Sequence, residues 1–198
     1  MPPVNHAASP LPPLPLLCHP ATPCPLALRL EVVLDWQACG LALHYTIAGQ
    51  VEGLKLPPTT SPGPADGLWQ HTCLEAFVSP VQAAHYREFN FSPSQQWAAY
   101  CFSAERQRDT AAEAHRPVQP DIRLDHGPGQ LMLRATLPEP ALPPGLRLCL
   151  GLSAVLETQS GHVSYWALRH PHADRPDFHH RGGWREMRRP PILPTLPT

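Results

Sequence analysis

The chain has 198 residues, 42% of them apolar, enough to bury one core and too many for a chain disordered throughout. Fifteen Lys and Arg against sixteen Asp and Glu leave a net charge of −1, so there is no field to hold a nucleic-acid backbone or an anionic bilayer. Proline is the outlier: 28 against 12 glycines, without the strict glycine period of collagen and too frequent for a coiled coil.

The prolines are unevenly spread. They crowd within 1–25, 57–64 and 190–197 and are absent from 26–56. Residues 1–13 and 188–198 are therefore expected to be Pro-rich terminal tails around one domain over 14–187. The apolar stretch 11–18 is interrupted by prolines and has no Lys or Arg before Arg29, unlike a secretory signal. No apolar run approaches the ~18 residues of a membrane span. A cytoplasmic location is the expectation. The six cysteines form no C-x-x-C pair, so they are expected to be reduced and mostly buried rather than joined as three disulfides.

Leu28, Leu30, Val32, Leu34 and Trp36 alternate with Arg29, Glu31, Val33 and Asp35, the period of a half-buried strand. Past Ala38-Cys39-Gly40, Leu41, Leu43, Tyr45 and Ile47 alternate with Ala42, His44 and Thr46, which makes a hairpin. A Pro/Gly-rich loop over 49–67 precedes short strands over 72–78, 87–91 and 97–102, punctuated by Pro80 and Ser92-Pro93-Ser94. Residues 104–115 hold good helix formers without an apolar stripe, so an exposed short helix or a loop is expected. A second hairpin joins 121–125 to 131–137. The segment 146–156 sets Leu146, Leu148, Leu150, Leu152 and Ala154 on one face, and 163–168 pairs back across Gln159-Ser160-Gly161. The sum is an all-β fold, an antiparallel β-sandwich or jelly roll of about 9–11 strands.

Two stretches carry the unusual chemistry. In 68–78 and 86–97, Glu75 shares a strand face with Cys73 and Phe77, and Glu88 shares one with Asn90. If the strands pair, Glu75, Glu88 and Asn90 form one polar patch near His71, rimmed by Trp69 and Trp97. Aromatic faces with carboxylates and amides are how sugar rings and their hydroxyls are held. The alternative is that both acids pair with arginines as sheet-surface charges. Nothing else supports reading them as the acid pair of a glycosidase.

The second stretch is 164–184. Arg169 beside Trp166 suits planar recognition of an anionic or hydroxyl-rich ligand, or else an ion pair with Glu157 or Asp177. His170 and His172, with His179 or His180, are weak metal candidates; histidines bonded to backbone and carboxylates are the other reading. No nucleophile elbow, phosphate loop or dinucleotide fingerprint is present, so no enzyme activity is expected.

The runs Leu68-Trp69-Gln70-His71-Thr72-Cys73-Leu74-Glu75-Ala76-Phe77 and Tyr86-Arg87-Glu88-Phe89-Asn90-Phe91-Ser92-Pro93-Ser94, with Trp97-Ala98-Ala99-Tyr100, resemble the bacterial DOMON-like domains. So do Ser164-Tyr165-Trp166-Ala167-Leu168-Arg169-His170-Pro171, Pro176-Asp177-Phe178-His179-His180 and Leu17-Cys18-His19-Pro20-Ala21-Thr22-Pro23. The resemblance spans about residues 15–186. It implies a β-sandwich related to family 9 carbohydrate-binding modules, in a superfamily whose ligands are sugars or haem. Family 9 modules clamp a sugar between two tryptophans, for which Trp69 and Trp166 are the nearest candidates. The expected function is non-catalytic binding of a carbohydrate or similar small polar ligand by Trp69, His71, Glu75, Glu88, Asn90, Trp97, Trp166, Arg169, His170 and Asp177, with no cofactor. Haem between paired strand residues such as His71 and His170 is one alternative. A protein-interaction module with no small ligand is the other.

Overall fold

In the computed structural model, which describes residues 12–115 and 117–190, the alternating leucines and charges build the predicted hairpins. β2 (Leu28–Gln37) and β3 (Gly40–Gly49) pair in register from Leu28 opposite Gly49 to Gln37 opposite Gly40. Gly40 sits at φ 148°, and a Cβ there would meet the Leu137 carbonyl oxygen at 2.0 Å, so only glycine fits this corner. β9 (Asp121–Gly127) and β10 (Gln130–Pro138) form the second hairpin, and β10 lies along β3. With β1 (Leu14–Cys18) beside β2, the first layer runs β1-β2-β3-β10-β9.

The second layer holds β4 (Gly63–Pro64), β5 (Cys73–Pro80), β6 (Tyr86–Phe91), β7 (Gln96–Ala104), β11 (Arg147–Glu157) and β12 (Val163–Ala167) in the order β4-β7-β6-β5-β11-β12. β8 (Gln107–Arg108) adds to β7, and β13 (Arg185–Arg188) adds to β11. All pairs are antiparallel except β4 with β7. The described residues thus carry thirteen strands, two of them only two residues long, which is the all-β sandwich expected.

β1 is the seam. Leu14, Pro15 and Leu16 pair with β2, while Leu17 and Cys18 pair with β12, so one short strand stitches both layers together. Pro15, opposite Glu31, is exposed while Leu14 and Leu16 are buried, which keeps the period of two across the proline. Between the layers, Leu30, Val32, Leu43 and Tyr45 pack against Leu74, Phe89, Phe91, Leu152 and Trp166. Burial at roughly 25 cal/mol per Å² of apolar surface is what holds the layers face to face.

β5 is buried over seven of its eight residues, because both of its faces are covered. Leu74, Ala76 and Val78 face the core. On the outer face, Phe77, Tyr86, Phe102 and Trp184 form a second apolar cluster under the chain returning from β12 to β13. The stretch predicted as helix or loop resolves into the end of β7, a tight turn, β8 and the six-residue α1 (Thr110–His115), capped by Asp109 Oδ1 accepting from the Ala112 N–H at 2.9 Å. None of the six cysteines is joined in a disulfide, and Cys73 and Cys101 are buried. Arg188 closes β13, and Arg189 is buried against Glu139, so ordered packing continues to the edge of the described chain. The expected tails lie outside the described residues over 1–11 and 191–198.

Candidate functional site

Strand parity builds the site on the outer face of β5, β6 and β7. Glu75 stands opposite Asn90, Phe77 opposite Glu88, and Glu88 in turn opposite Tyr100. A period of two puts these side chains, with Phe102 and with Ser153 from β11, on one side of the sheet. Glu75, Phe77, Glu88, Tyr100 and Phe102 line a cleft of about 1110 Å³, with Asn90 and Ser153 buried behind them. One wall is the turn Leu68–Gln70, opened by Gly67 at φ 72°, which presents Trp69 with 51% of its surface exposed. Pro176, Phe178 and His179 form the opposite rim beside Tyr165.

The floor is acidic, and both of its carboxyl groups are buried. Glu75 accepts from the Ser153 hydroxyl at 2.9 Å, and Glu88 accepts from the Asn90 amide at 3.0 Å. Burial first, then the charge of Glu88, pushes Glu75 up to about 8. Burial pushes Glu88 up to about 7, against the opposing pull of the Asn90 hydrogen bond and of Arg106. Among the described residues, neither acid pairs with an arginine at its carboxylate.

A hydrogen-bond chain fixes the rim to the floor. The Tyr86 hydroxyl accepts from the Arg106 N–H at 3.1 Å and shares a hydrogen bond of 2.6 Å with His179 Nδ1. Burial, then the positive charge of Arg106, holds His179 down at about 4, so its ring is neutral. Arg106 sits at φ 57°, a left-handed conformation costly for a residue with a Cβ. That turn carries its guanidinium to Asp177, 2.8 Å away. Burial alone would raise Asp177, but Arg106 and the neighbouring backbone N–H groups outweigh it and hold the carboxyl low. Arg108 makes two bonds to Glu113 and stacks over Tyr100 at 4.4 Å. At the far wall, His71 and Lys55 grip the two oxygens of Glu157 at 2.8 and 2.7 Å, and the Lys55 bond leads in lowering that carboxyl.

Of the ten residues singled out from sequence, Trp69, His71, Glu75 and Glu88 line the cleft. Asn90 is fully buried beside them. Asp177 stands behind the wall as the anchor of Arg106. Four lie elsewhere. Trp97 pairs with Phe91 and takes its face, away from Tyr100. Trp166 stands opposite Ala154 in the core, its indole N–H donating to Ser164 Oγ at 3.0 Å. His170 donates to the Leu17 carbonyl at 2.7 Å, and Arg169 borders a void of about 10 Å³ behind Trp184. The arginine-paired alternatives also differ: Glu157 takes Lys55 and His71, and Asp177 takes Arg106.

Of the histidines weighed as metal ligands, His170 is drawn to Leu17 and His179 to Tyr86, while the His172 ring packs edge-on to His180. Among the described residues no three His, Cys, Asp or Glu side chains converge. Sequence reasoning did not find Tyr100, Phe102, Tyr165, Phe178, Arg106 or Arg108 as lining residues. The one signal for Tyr165 was its place next to Trp166, on the opposite face.

No protein-family model and no curated protein matches the chain. Solved structures do. A candidate carbohydrate-binding protein from Bacteroides uniformis superposes with a TM-score of 0.64 at 16% identity, over 91% of this chain and 87% of that one. A family 9 carbohydrate-binding module from Caldicellulosiruptor kristjanssonii in complex with glucose gives a TM-score of 0.57 at 9% identity, over 91% and 87%. The chain shares the β-sandwich fold of these structures. A structure of a family 9 module from the same organism with cellotriose gives 0.55 at 8% identity, over 92% and 87%. At these identities what is shared is the fold, and the site rests on its own geometry.

Proposed function

We propose that this protein is a non-catalytic carbohydrate-binding domain of the DOMON-like type, and that the cleft between Trp69 and Phe178 is its sugar site. The observation that carries the reading is Trp69. A tryptophan left 51% exposed at the mouth of a polar cleft gives up burial that most tryptophans keep, and its flat face suits the C–H face of a pyranose. Below it, the carboxyl groups of Glu75 and Glu88 are acceptors for ring hydroxyls, and the Gln70 and Gln96 amides offer donors along the wall. The shared fold supports the reading, since family 9 modules bind glucose and cellotriose.

The test is a thermal-shift panel of mono- and oligosaccharides on the full chain. A saccharide that binds the native state raises the midpoint, by about 2.7 kcal/mol of stability at a hundredfold excess over Kd. Trp69→Ala is expected to abolish the shift while melting like the unsubstituted protein. A panel without any shift contradicts the proposal.

A further inference from the structure

The cleft floor gathers acceptors and leaves them short of donors. Glu75, 2% exposed, takes one side-chain donor, the Ser153 hydroxyl, and Glu88, 5% exposed, takes one, the Asn90 amide. The Asn90 carbonyl oxygen, on a fully buried side chain of the same face, has no hydrogen-bond partner. Asp66 adds a third carboxylate at the rim, accepting from the Tyr100 hydroxyl.

The cations in the walls are committed elsewhere. Arg106 is bonded to Asp177, Arg108 chiefly to Glu113 with Asp66 3.9 Å away, and His71 to Glu157; Asp177, Glu113 and Glu157 do not line the cleft, and neither arginine reaches the carboxylates of Glu75 or Glu88. His179 Nε2 stands 3.7 Å from Glu88, but its ring is kept neutral by burial and by Arg106. The walls are aromatic as well: Trp69, Tyr100, Phe102, Tyr165 and Phe178 line them. Aromatic faces attract cations, and a pair of buried carboxyls is relieved most by a group bringing a full positive charge and several N–H donors. A neutral hydroxyl brings one donor and no charge.

Resting on the carbohydrate reading above, the geometry points to a saccharide bearing a protonated amine as the ligand class, its ammonium seated by Glu75, Glu88 and the Asn90 carbonyl oxygen within the aromatic walls. A divalent metal ion would find only two carboxyl groups and one amide at this seat, a poor shell for a hard cation.

Isothermal titration of the full chain decides it, with matched pairs at about pH 6.5 and about pH 7.5, since Glu75 and Glu88 hold their protons at the lower pH and an ammonium seated between them must displace those protons. The pairs are glucosamine and glucose, galactosamine and galactose, and fully deacetylated chitotriose and cellotriose. At least one amine-bearing member is expected to bind ~10-fold or more tightly than its neutral partner, with cyclohexylamine far weaker. Glu88→Gln and Glu75→Gln, each first checked for a cooperative melt, are expected to shrink that ratio to within ~3-fold. Neutral sugars binding as well as their amines would overturn the ammonium seat and leave the carbohydrate reading standing. No sugar binding at all would overturn both. Cyclohexylamine matching glucosamine, or calcium chloride displacing it, would assign the seat to a simple amine or to a metal and overturn the inference.

Discussion

Glu88 stands diagonally across the β5–β6 ladder from Glu75, one opposite Phe77 and the other opposite Asn90, so two buried carboxyls share one face of adjacent strands. Folding takes both from water, and the sheet offers each a neutral hydrogen bond rather than a cation at its carboxylate. Buried acids held this way add little stability by themselves.

The pair sets the pH dependence of stability. In the folded chain Glu75 and Glu88 keep their protons to about pH 8 and 7, against an ordinary value of 4.5. Between 4.5 and those values the folded state binds more protons than the unfolded one, so stability falls as pH rises. His179 works the other way: held at about 4 against 6.5, it binds fewer protons when folded and adds stability as pH rises over that window. Two acids outweigh one base. The melting temperature is expected to decline from about pH 5, most steeply near pH 6.5–7 where His179 no longer opposes the acids, and to level off above about pH 8. Glu75→Gln should match the unsubstituted protein at pH 5 and exceed it by ~3–8 °C at pH 9. A midpoint that climbs steadily from pH 5 to 9 would contradict this account.

Tyr86→Phe tests the link between rim and floor. The hydroxyl serves the Arg106 N–H and His179 Nδ1, and its loss leaves both without that partner in a largely buried place. A cost of about 1–3 kcal/mol is expected from denaturant unfolding. Faster amide exchange should appear around Arg106 and through 176–180. Unchanged exchange there would mean that the loop is held by its apolar contacts alone.

Gly151→Ala tests how the second cluster is packed. Gly151 lies opposite Phe77, and a Cβ would meet Trp184 Cδ1 at 2.6 Å and Nε1 at 2.7 Å. Trp184 is wedged against Phe77 and Tyr86, with its indole N–H bonded to the Phe178 carbonyl, so it has little room to give. Destabilisation by about 1–3 kcal/mol is expected, read from urea unfolding. Sugar affinity should fall as well, because Phe178 at the rim moves with Trp184.

Most of the architecture was legible in the sequence, because period-two alternation in 28–47 and 121–137 admits one register with the leucines inside. β1 was not, since Pro15 looks like a break and is tolerated only because it faces solvent opposite Glu31. The acid pair was legible once β5 and β6 were taken to pair. The aromatic walls were not. Trp97 and Trp166 are the larger and more conspicuous rings, yet a strand shows alternate residues to opposite sides, and nothing local says which side faces the core. Register settles it: Trp166 opposite Ala154 faces inward, which turns Tyr165 outward to the cleft. Arg106 joins the site through a left-handed turn that no propensity signals for an arginine.

The central claim is that a saccharide lies against Trp69. Five indole N–H groups can be followed at once by NMR in a protein with indole-15N tryptophan. On titration with the tightest saccharide found, the Trp69 indole is expected to shift progressively, while Trp166, bonded to Ser164, stays in place. Saturable binding that leaves the Trp69 signal unmoved, or that shifts Trp97 or Trp166 instead, would contradict the account.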